Sequence, residues 1–430
     1  MWLTSGIKVG MKVYSNVTNT PEKTFENVED YILIDGLNKI TLIIILFGLL
    51  SVQYKFIGLL FNRTVGLYYV FFISFEPYLI GINRWYHLTS LESFLSFTAF
   101  LSGLVWYKTN KNSYLTMSGL FMGLAVLTKF SSLVVLFLLL IVVVAGVWNR
   151  SYSLAIRELV QKAALLIVSC MAVFILLFPA LWVAPGFVLQ NIFTAGIGAV
   201  GGEYDTVLFA ERNPLLFYPL ILLFKLSPFA IAALLICLIK LRKFSKVKYP
   251  ELLMLFSYFI VHLIIFAFSE QKIERYIIVL VPAILLLGAF AVSQVNSYLR
   301  YALLLGSALF GVFMFIKFYP VNSLYYSPVF GGVKTAARLE ILDNNGEYAA
   351  QAALYLNKKG RDTRVFVPNN ILSFVPYFKG NLESEFSRET EYVIESADSS
   401  PREKIPSCLY MEKVYKIDSL PILTILRCKE

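Results

Sequence analysis

The sequence predicts an α-helical polytopic membrane protein, with about ten transmembrane helices and a small carboxyl-terminal α/β domain outside the bilayer. Two observations establish the membrane class. Of 430 residues, 58% are hydrophobic and only 15% charged, which is too apolar for an ordinary soluble domain. Apolar runs close to the roughly 20 residues that a helix needs to cross a bilayer recur from Ile40 to Phe318. Lipid offers no partner for unpaired backbone groups, so these runs are read as helices. A third observation gives the domain: from Pro320 to Glu430 the composition turns charged and mixed, with a helical pattern in "EYAAQAALYLNKK" and strand-like runs in "TRVFVP", "EYVIES" and "PILTILR".

Taken in order, residues 1–39 form an interfacial segment, a partial first outer loop. "MWLTSGIKVGMKVY" is apolar and aromatic, but Gly and Lys interrupt it too often for a span. The bundle occupies 40–319. Its expected spans are Ile40–Leu60, Val65–Ile82, Leu88–Tyr107, Tyr114–Thr128, Ser131–Trp148, Ala163–Val183, Leu215–Ile239, Leu252–Phe268, Ile277–Val292 and Tyr301–Phe318. Residues 320–430 form the α/β domain. Lys and Arg concentrate in the loops after the first, third, fifth, seventh and ninth spans, so those loops are placed in the cytoplasm and the carboxyl-terminal domain outside it. The expected location is the cytoplasmic (plasma) membrane. The formal charge of +10 then reflects topology and implies no nucleic-acid partner. With this topology the chain begins outside without a preceding span, so a first span is expected to be missing from it.

Polar residues that interrupt apolar runs carry the candidate chemistry. In "FEPYLIGINRWYHLTSLESFLSF", Arg84, His87, Thr89 and Glu92 gather where the chain re-enters lipid. A buried ionised group is costly in hydrocarbon, so Glu92 needs a cavity or a partner, and Arg84 and His87 are placed to pair with it or to meet an anion. Glu76, before Pro77, is a weaker instance. Lys129 breaks "LAVLTKFSSLVV" and is read either as a snorkelling anchor or as a phosphate ligand. "FSEQKIERYIIVLVP" brings Glu270, Lys272, Glu274, Arg275 and Tyr276 to the outer ends of two spans, where Arg275 offers a guanidinium fork at headgroup depth. The alternative for this stretch is an aromatic and cationic belt. "GGEYD" places Glu203 and Asp205 two apart, a pair for sugar hydroxyls or a divalent metal, although two acids are a weak metal signal. No cofactor is expected, and no HExxH, Walker, GxSxG or paired CxxC motif is present. His262, Cys170 and Cys237 read as packing residues. Cys408 and Cys428 share the carboxyl-terminal domain, and whether they are bonded is left open by sequence.

Five segments in order resemble the GT-C membrane glycosyltransferases, specifically family 39, the protein O-mannosyltransferase and aminoarabinose-transferase-like group. They are "LFNRTVGLYYVFFISFEPYLIGINRWYHLTSLESFLSF", "GLFMGLAVLTKFSSLVVL", "FPALWVAPGFVLQNIF", "NPLLFYPLILLFKLSPF" and "KIERYIIVLVPAI", with a looser likeness in "YYSPVFGG" and "EYAAQAALYLNK". The resemblance implies transfer of a sugar from a polyprenyl-phosphate carrier to a protein, lipid or glycan acceptor at the outer face. It makes Arg84, His87, Lys129, Lys272, Arg275 and Tyr276 candidates for the lipid phosphate and its cavity, and Glu203 and Asp205 candidates for the acceptor or sugar. The acid that such enzymes carry in the first outer loop is not found here. Glu29 and Asp30 lack its His-Pro context, and Glu92 is the only substitute the hinge offers. Two other classes stay open: a lipid-linked oligosaccharide translocase, and a non-catalytic lipid-binding relative. A translocase predicts internal repeats with polar residues in both halves of the bundle. No clear repeat is found, and the polar residues collect at one face.

Overall fold

The computed structural model describes residues 28–84, 87–151, 155–201, 208–245, 250–269, 272–397 and 409–428. The first helices are α1 (Val28–Leu60), α2 (Arg63–Phe75), α3 (Pro77–Asn83), α4 (Leu88–Thr109) and α5 (Asn112–Thr128). A 3-10 turn at Phe130–Ser132 leads to α6 (Leu133–Ser151) and α7 (Ile156–Leu176). Then come α8 (Pro179–Val183), α9 (Pro185–Gly201), α10 (Leu208–Arg212), α11 (Pro214–Lys225), α12 (Pro228–Ser245) and α13 (Pro250–Phe268). A second 3-10 turn, Glu274–Val279, precedes α14 (Val281–Ser293) and α15 (Ser297–Phe318).

The chain is an integral membrane protein, and each of the ten expected spans is largely helical. They differ in kind, however. Six helices among the described residues are long and apolar enough to cross a bilayer, and two bent pairs raise the number to eight. α5, with 17 residues, and α14, with 13, are shorter. α14 and α4 form the centre: every residue from Val281 to Val292 is buried, as is nearly all of α4. Packing of the surrounding helices relies on small residues, as expected where lipid removes the hydrophobic drive for association. Gly119 and Gly123 of α5 let its backbone approach α7, and a Cβ at either position would come within 2.6 Å of the Leu166 carbonyl or 2.5 Å of the Cys170 carbonyl. Gln53 adds a polar tie, donating to the Phe94 carbonyl at 3.1 Å and Thr98 Oγ1 at 3.0 Å and accepting from the Tyr69 hydroxyl at 2.6 Å.

Two sequence expectations need correction. The helix that holds the first expected span starts well before Ile40: α1 has 33 residues, about 50 Å at 1.5 Å per residue, longer than the bilayer core. Its first turns continue the helix upward, where Tyr31 meets the Tyr377 ring edge-to-face at 5.3 Å and Glu29 meets Lys379 at 3.4 Å. Residues 28–39 of the predicted interfacial segment are therefore helix, and 1–27 lie outside the described residues. The seventh expected span, Leu215–Ile239, is two helices bent by 116°. Leu226 is extended, and Pro228 can start a helix but cannot continue one. α11 is about 18 Å long, and the chain beyond α15 is touched both by Arg212 of the preceding α10, through Glu340 at 2.9 Å, and by Lys225 at the end of α11, through the Ser323 carbonyl at 3.2 Å. α11 therefore lies along one face of the bundle, and α12 alone runs through it.

Beyond α15 a cap domain sits on that same face. It contains α16 (Gly332–Arg338), α17 (Ala349–Leu356) and α18 (Ile371–Phe374), with strands β1 (Arg364–Phe366), β2 (Asn381–Glu383), β3 (Tyr392–Ser396), β4 (Leu409–Ile417) and β5 (Leu420–Cys428). The sheet order is β2-β1-β3-β5-β4: β1 is parallel to both neighbours, and the β3–β5–β4 ribbon is antiparallel. Ala349, Ala352, Ala353 and Leu356 of α17 bury one helix face against Val365, Ile394, Leu423 and Ile425. The three expected strand runs are β1, β3 and β5.

Substituting Gly119 and Gly123 together by Ala is expected to part α5 from α7 and to lower stability by about 1–3 kcal/mol per site. Gly48→Ala, whose Cβ meets nothing within 4 Å, serves as the control. Thermal unfolding in detergent reads both, and equal midpoints would contradict the close packing.

Candidate functional site

The cap-bearing face is built around two broken helices. Glu76 ends α2 and precedes Pro77, giving a 63° bend into α3. Its carboxylate accepts from the Ser227 backbone N at 2.9 Å and from Ser227 Oγ at 2.7 Å, so one buried acid bolts the first break to the α11–α12 break. Two residues earlier, Lys225 is fully buried and pairs with Glu274 at 3.0 Å. The Tyr326 hydroxyl donates to the other Glu274 oxygen at 2.7 Å, and its ring lies 3.6 Å from the Lys225 ammonium. Burial pushes the Glu274 carboxyl up, and Lys225 and Tyr326 pull it back. Glu347 of the cap is also buried beside this pair, and Asp343 is half-buried there. Burial raises Asp343 against the pull of Arg275 and Lys225. Glu347 is pushed up to about 7 by burial, with Ser323 working against the shift and Asp343 and Glu274 adding to it.

A second cluster forms where α4 begins and α5 ends. Glu92, one turn into α4, is 1% exposed. One of its oxygens accepts from Ser131 and, at 3.5 Å, from Ser132; the other lies 3.7 Å from the Lys129 ammonium. Lys129 is held in place by the end of α5 and sits 3.8 Å over the Tyr276 ring, a cation–π geometry. Its side chain keeps 28% of its surface exposed. Burial lowers its pKa, Glu92 opposes that, and Arg275 adds to it. His87 is the N-cap of α4, its Nδ1 accepting from the Thr89 N–H at 3.1 Å. Burial, with the charges of Arg275 and Lys129, lowers its pKa to about 4, so the imidazole is neutral at pH 7 and suited to that acceptor role. Arg275 reaches the cap domain, where Nη1 donates to Asn345 Oδ1 at 2.7 Å. His87, Lys129, Arg275 and Tyr276 thus converge, and two of the four are cations next to one sequestered carboxylate.

The remaining candidates are placed elsewhere. Arg84 does not pair with Glu92. Its Nη1 donates to Asn322 Oδ1 at 2.7 Å and its guanidinium lies over the Tyr319 ring at 5.0 Å, tying α3 to the start of the cap. Lys272 donates to the Phe266 and Ala267 carbonyls at 2.8 and 2.6 Å, closing the last turn of α13. Glu203, Asp205, Glu270 and Cys408 lie outside the described residues. His262 bonds the Tyr258 carbonyl at 2.8 Å and packs between Tyr258 and Phe266. Among the described residues no three His, Cys, Asp or Glu side chains gather to hold a metal ion. Sequence reasoning passed over Lys225, Ser227, Asp343 and Glu347. A lysine two residues before Ser-Pro, inside an apolar run, marked the first two.

Helices and cap together define a polytopic membrane protein with an α/β domain on one face. No family model matches the chain, and no curated protein matches it. Among solved structures it is similar to ArnT from Cupriavidus metallidurans bound to undecaprenyl phosphate, at 12% identity and a TM-score of 0.48, covering 91% of this chain and 83% of that one. It is also similar to the archaeal oligosaccharyltransferase AglB from Archaeoglobus fulgidus, in complex with an inhibitory peptide and a dolichol-phosphate. There the identity is 11% and the TM-score 0.44, over 91% of this chain and 61% of that one.

Lys225→Met leaves Glu274 buried without its cation and is expected to lower stability by about 3–5 kcal/mol, most of which the double change Lys225→Met with Glu274→Leu should restore. Chemical denaturation of the single and double variants decides this, and equal losses in both would mean that the pair is not the cause. Glu347 gives a pH dependence. Its folded pKa of about 7 lies above its ordinary 4.5, so the folded state holds the extra proton and stability falls as pH rises between those values. The loss is on the order of 3 kcal/mol. Glu347→Gln should therefore gain on the wild type from pH 5 to pH 8 in thermal unfolding, and a constant difference across that range would refute the assignment.

Proposed function

We propose that the chain is a membrane glycosyltransferase that moves a sugar from a polyprenyl-phosphate carrier to an envelope acceptor, at the extracytoplasmic face of the plasma membrane. The carrying observation is the convergence of Lys129, Arg275, His87 and Tyr276 at the cap-bearing face, with Lys129 partly exposed. A carrier with an apolar tail and a charged head is best met there, where a phosphate leaves the lipid beside an ammonium and a guanidinium fork. The loop charges and the ordered family-39-like segments support the same reading and orientation.

In this reaction the acceptor forms a bond to the sugar C1, the C1–O bond to the carrier phosphate breaks, and the acceptor proton passes to a base. Lys129 and Arg275 stabilise the charge that grows on the departing phosphate. Glu92 holds Lys129 through its second oxygen, while Ser131 and Ser132 occupy the first. A second reading rests on that sequestration: with Glu92 engaged in holding Lys129, the same cluster binds the lipid phosphate without transfer.

Lys129→Ala and Arg275→Ala are each expected to weaken binding of undecaprenyl phosphate about tenfold in nanodiscs, the scale of one charge-assisted hydrogen bond. Lys240→Ala, which removes an amine bonded to the Gln294 carbonyl far from the cluster, should not. Wild-type affinity in both cluster variants would reject the site. Radiolabelled sugar passing from a polyprenyl-phosphate donor to membrane acceptors separates transfer from binding alone.

A further inference from the structure

We infer that Asn345 is a positioning residue for Arg275, so that the cap domain completes the lipid-phosphate site; this rests on the function proposed for that cluster. Arg275 lies in a 3-10 turn whose preceding residue, Glu274, is clamped by Lys225 and Tyr326, so its backbone is fixed while its side chain is long. The described contact that directs the guanidinium is the 2.7 Å bond from Nη1 to Asn345 Oδ1. A guanidinium that binds phosphate must present its fork in one plane, and a fixed acceptor on one nitrogen sets that plane.

Asn345 is itself held by a preformed turn. Asn344 Oδ1 accepts from the Gly346 and Glu347 backbone N–H groups at 3.1 and 3.0 Å. Its Nδ2 donates to the Ile422 carbonyl of β5 at 3.2 Å, anchoring the turn to the sheet. Asn370 donates to the Asn344 carbonyl at 3.0 Å and Ser373 to the Asn345 carbonyl at 3.3 Å. Gly346 adopts φ +88°, a conformation open to glycine, and a Cβ there would meet Ser373 Oγ at 2.3 Å. Every backbone bond of this turn runs to the cap, whereas the Asn345 side chain runs to the bundle. The cap thereby reaches a residue at the mouth of the site through a neutral amide, with its Asp343 in electrostatic contact with the same guanidinium.

The test is a double-mutant cycle on the full chain in nanodiscs, with undecaprenyl phosphate as probe. Asn345→Ala should weaken binding about tenfold, and Asn345→Gln, which keeps a neutral amide oxygen for Nη1, should restore it to within about twofold. In an Arg275→Ala background, Asn345→Ala should add nothing, because the group it aims is gone. A purely structural role predicts instead that the two losses multiply and that Gln does not rescue, and either result overturns the proposal. If Arg275→Ala binds normally, the phosphate reading itself fails. If Arg275→Ala weakens binding while Asn345→Ala is silent, only the positioning role fails.

Discussion

The cap-bearing face depends on a lysine and a glutamate that are both out of water. Removing an ammonium and a carboxylate from solvent is expensive, and their attraction compensates only when the remaining donors and acceptors are satisfied. Lys225 and Glu274 meet that condition through residues from the cap side: the Ser323 carbonyl and the Tyr326 hydroxyl and ring. The pair therefore exists as seen only when the chain beyond α15 is docked. Its two members sit at the end of α11 and in the turn carrying Arg275 and Tyr276, so docking the cap also fixes the backbone of that turn.

The same logic explains why the bundle can be broken twice at one level. A helix end exposes backbone groups that lipid cannot satisfy. At the α2–α3 and α11–α12 breaks, Glu76 accepts from both the backbone and the side chain of Ser227, so the acid of one break satisfies the donors of the other. Prolines 77 and 228 make the breaks obligatory, and Gly81 lets α3 approach the backbone of Asn322, where a Cβ would lie 2.5 Å from its carbonyl oxygen. The result is a layer of short elements between spans and cap. That is where side chains from several elements can face one another without hanging from continuous helices.

Apolar run length was enough to expect helix in each of the ten runs, because burial in lipid imposes a strong and local composition. Run length could not separate α11 from α12, since both are apolar and the difference lies in one extended residue, Leu226, ahead of Ser-Pro. In the site, the outcome follows what each charge can reach. Lys129 and Glu92 were each legible as a polar break in an apolar run, but their pairing was not: the sequence set Arg84 and His87 beside Glu92, and Lys129 meets it where two helix ends adjoin. Arg84 and Lys272 looked alike in sequence, but each lies within reach of nearer acceptors, Asn322 and the last carbonyls of α13. Asp343 and Glu347 were invisible because nothing in a mixed polar domain marks an acid as buried. The docked cap removes Glu347 from water and half-buries Asp343.

The electrostatics of the mouth follow from this arrangement. Lys129 has a carboxylate on one side and an aromatic face on another, two partners that favour the ammonium without covering it. Arg275 has a neutral amide oxygen as its described hydrogen-bond partner, so its charge is directed without being cancelled by that contact. The nearby His87 is kept neutral by those same two cations and by burial. Lys129 and Arg275 thus flank a neutral imidazole, with Glu92 withdrawn behind Lys129 and Asp343 of the cap in electrostatic contact with Arg275. Had the carboxylate stood in front, its repulsion would oppose a phosphate at short range. Placing it one turn inside α4, under Ser131 and Ser132, lets it hold the lysine while leaving the mouth positive.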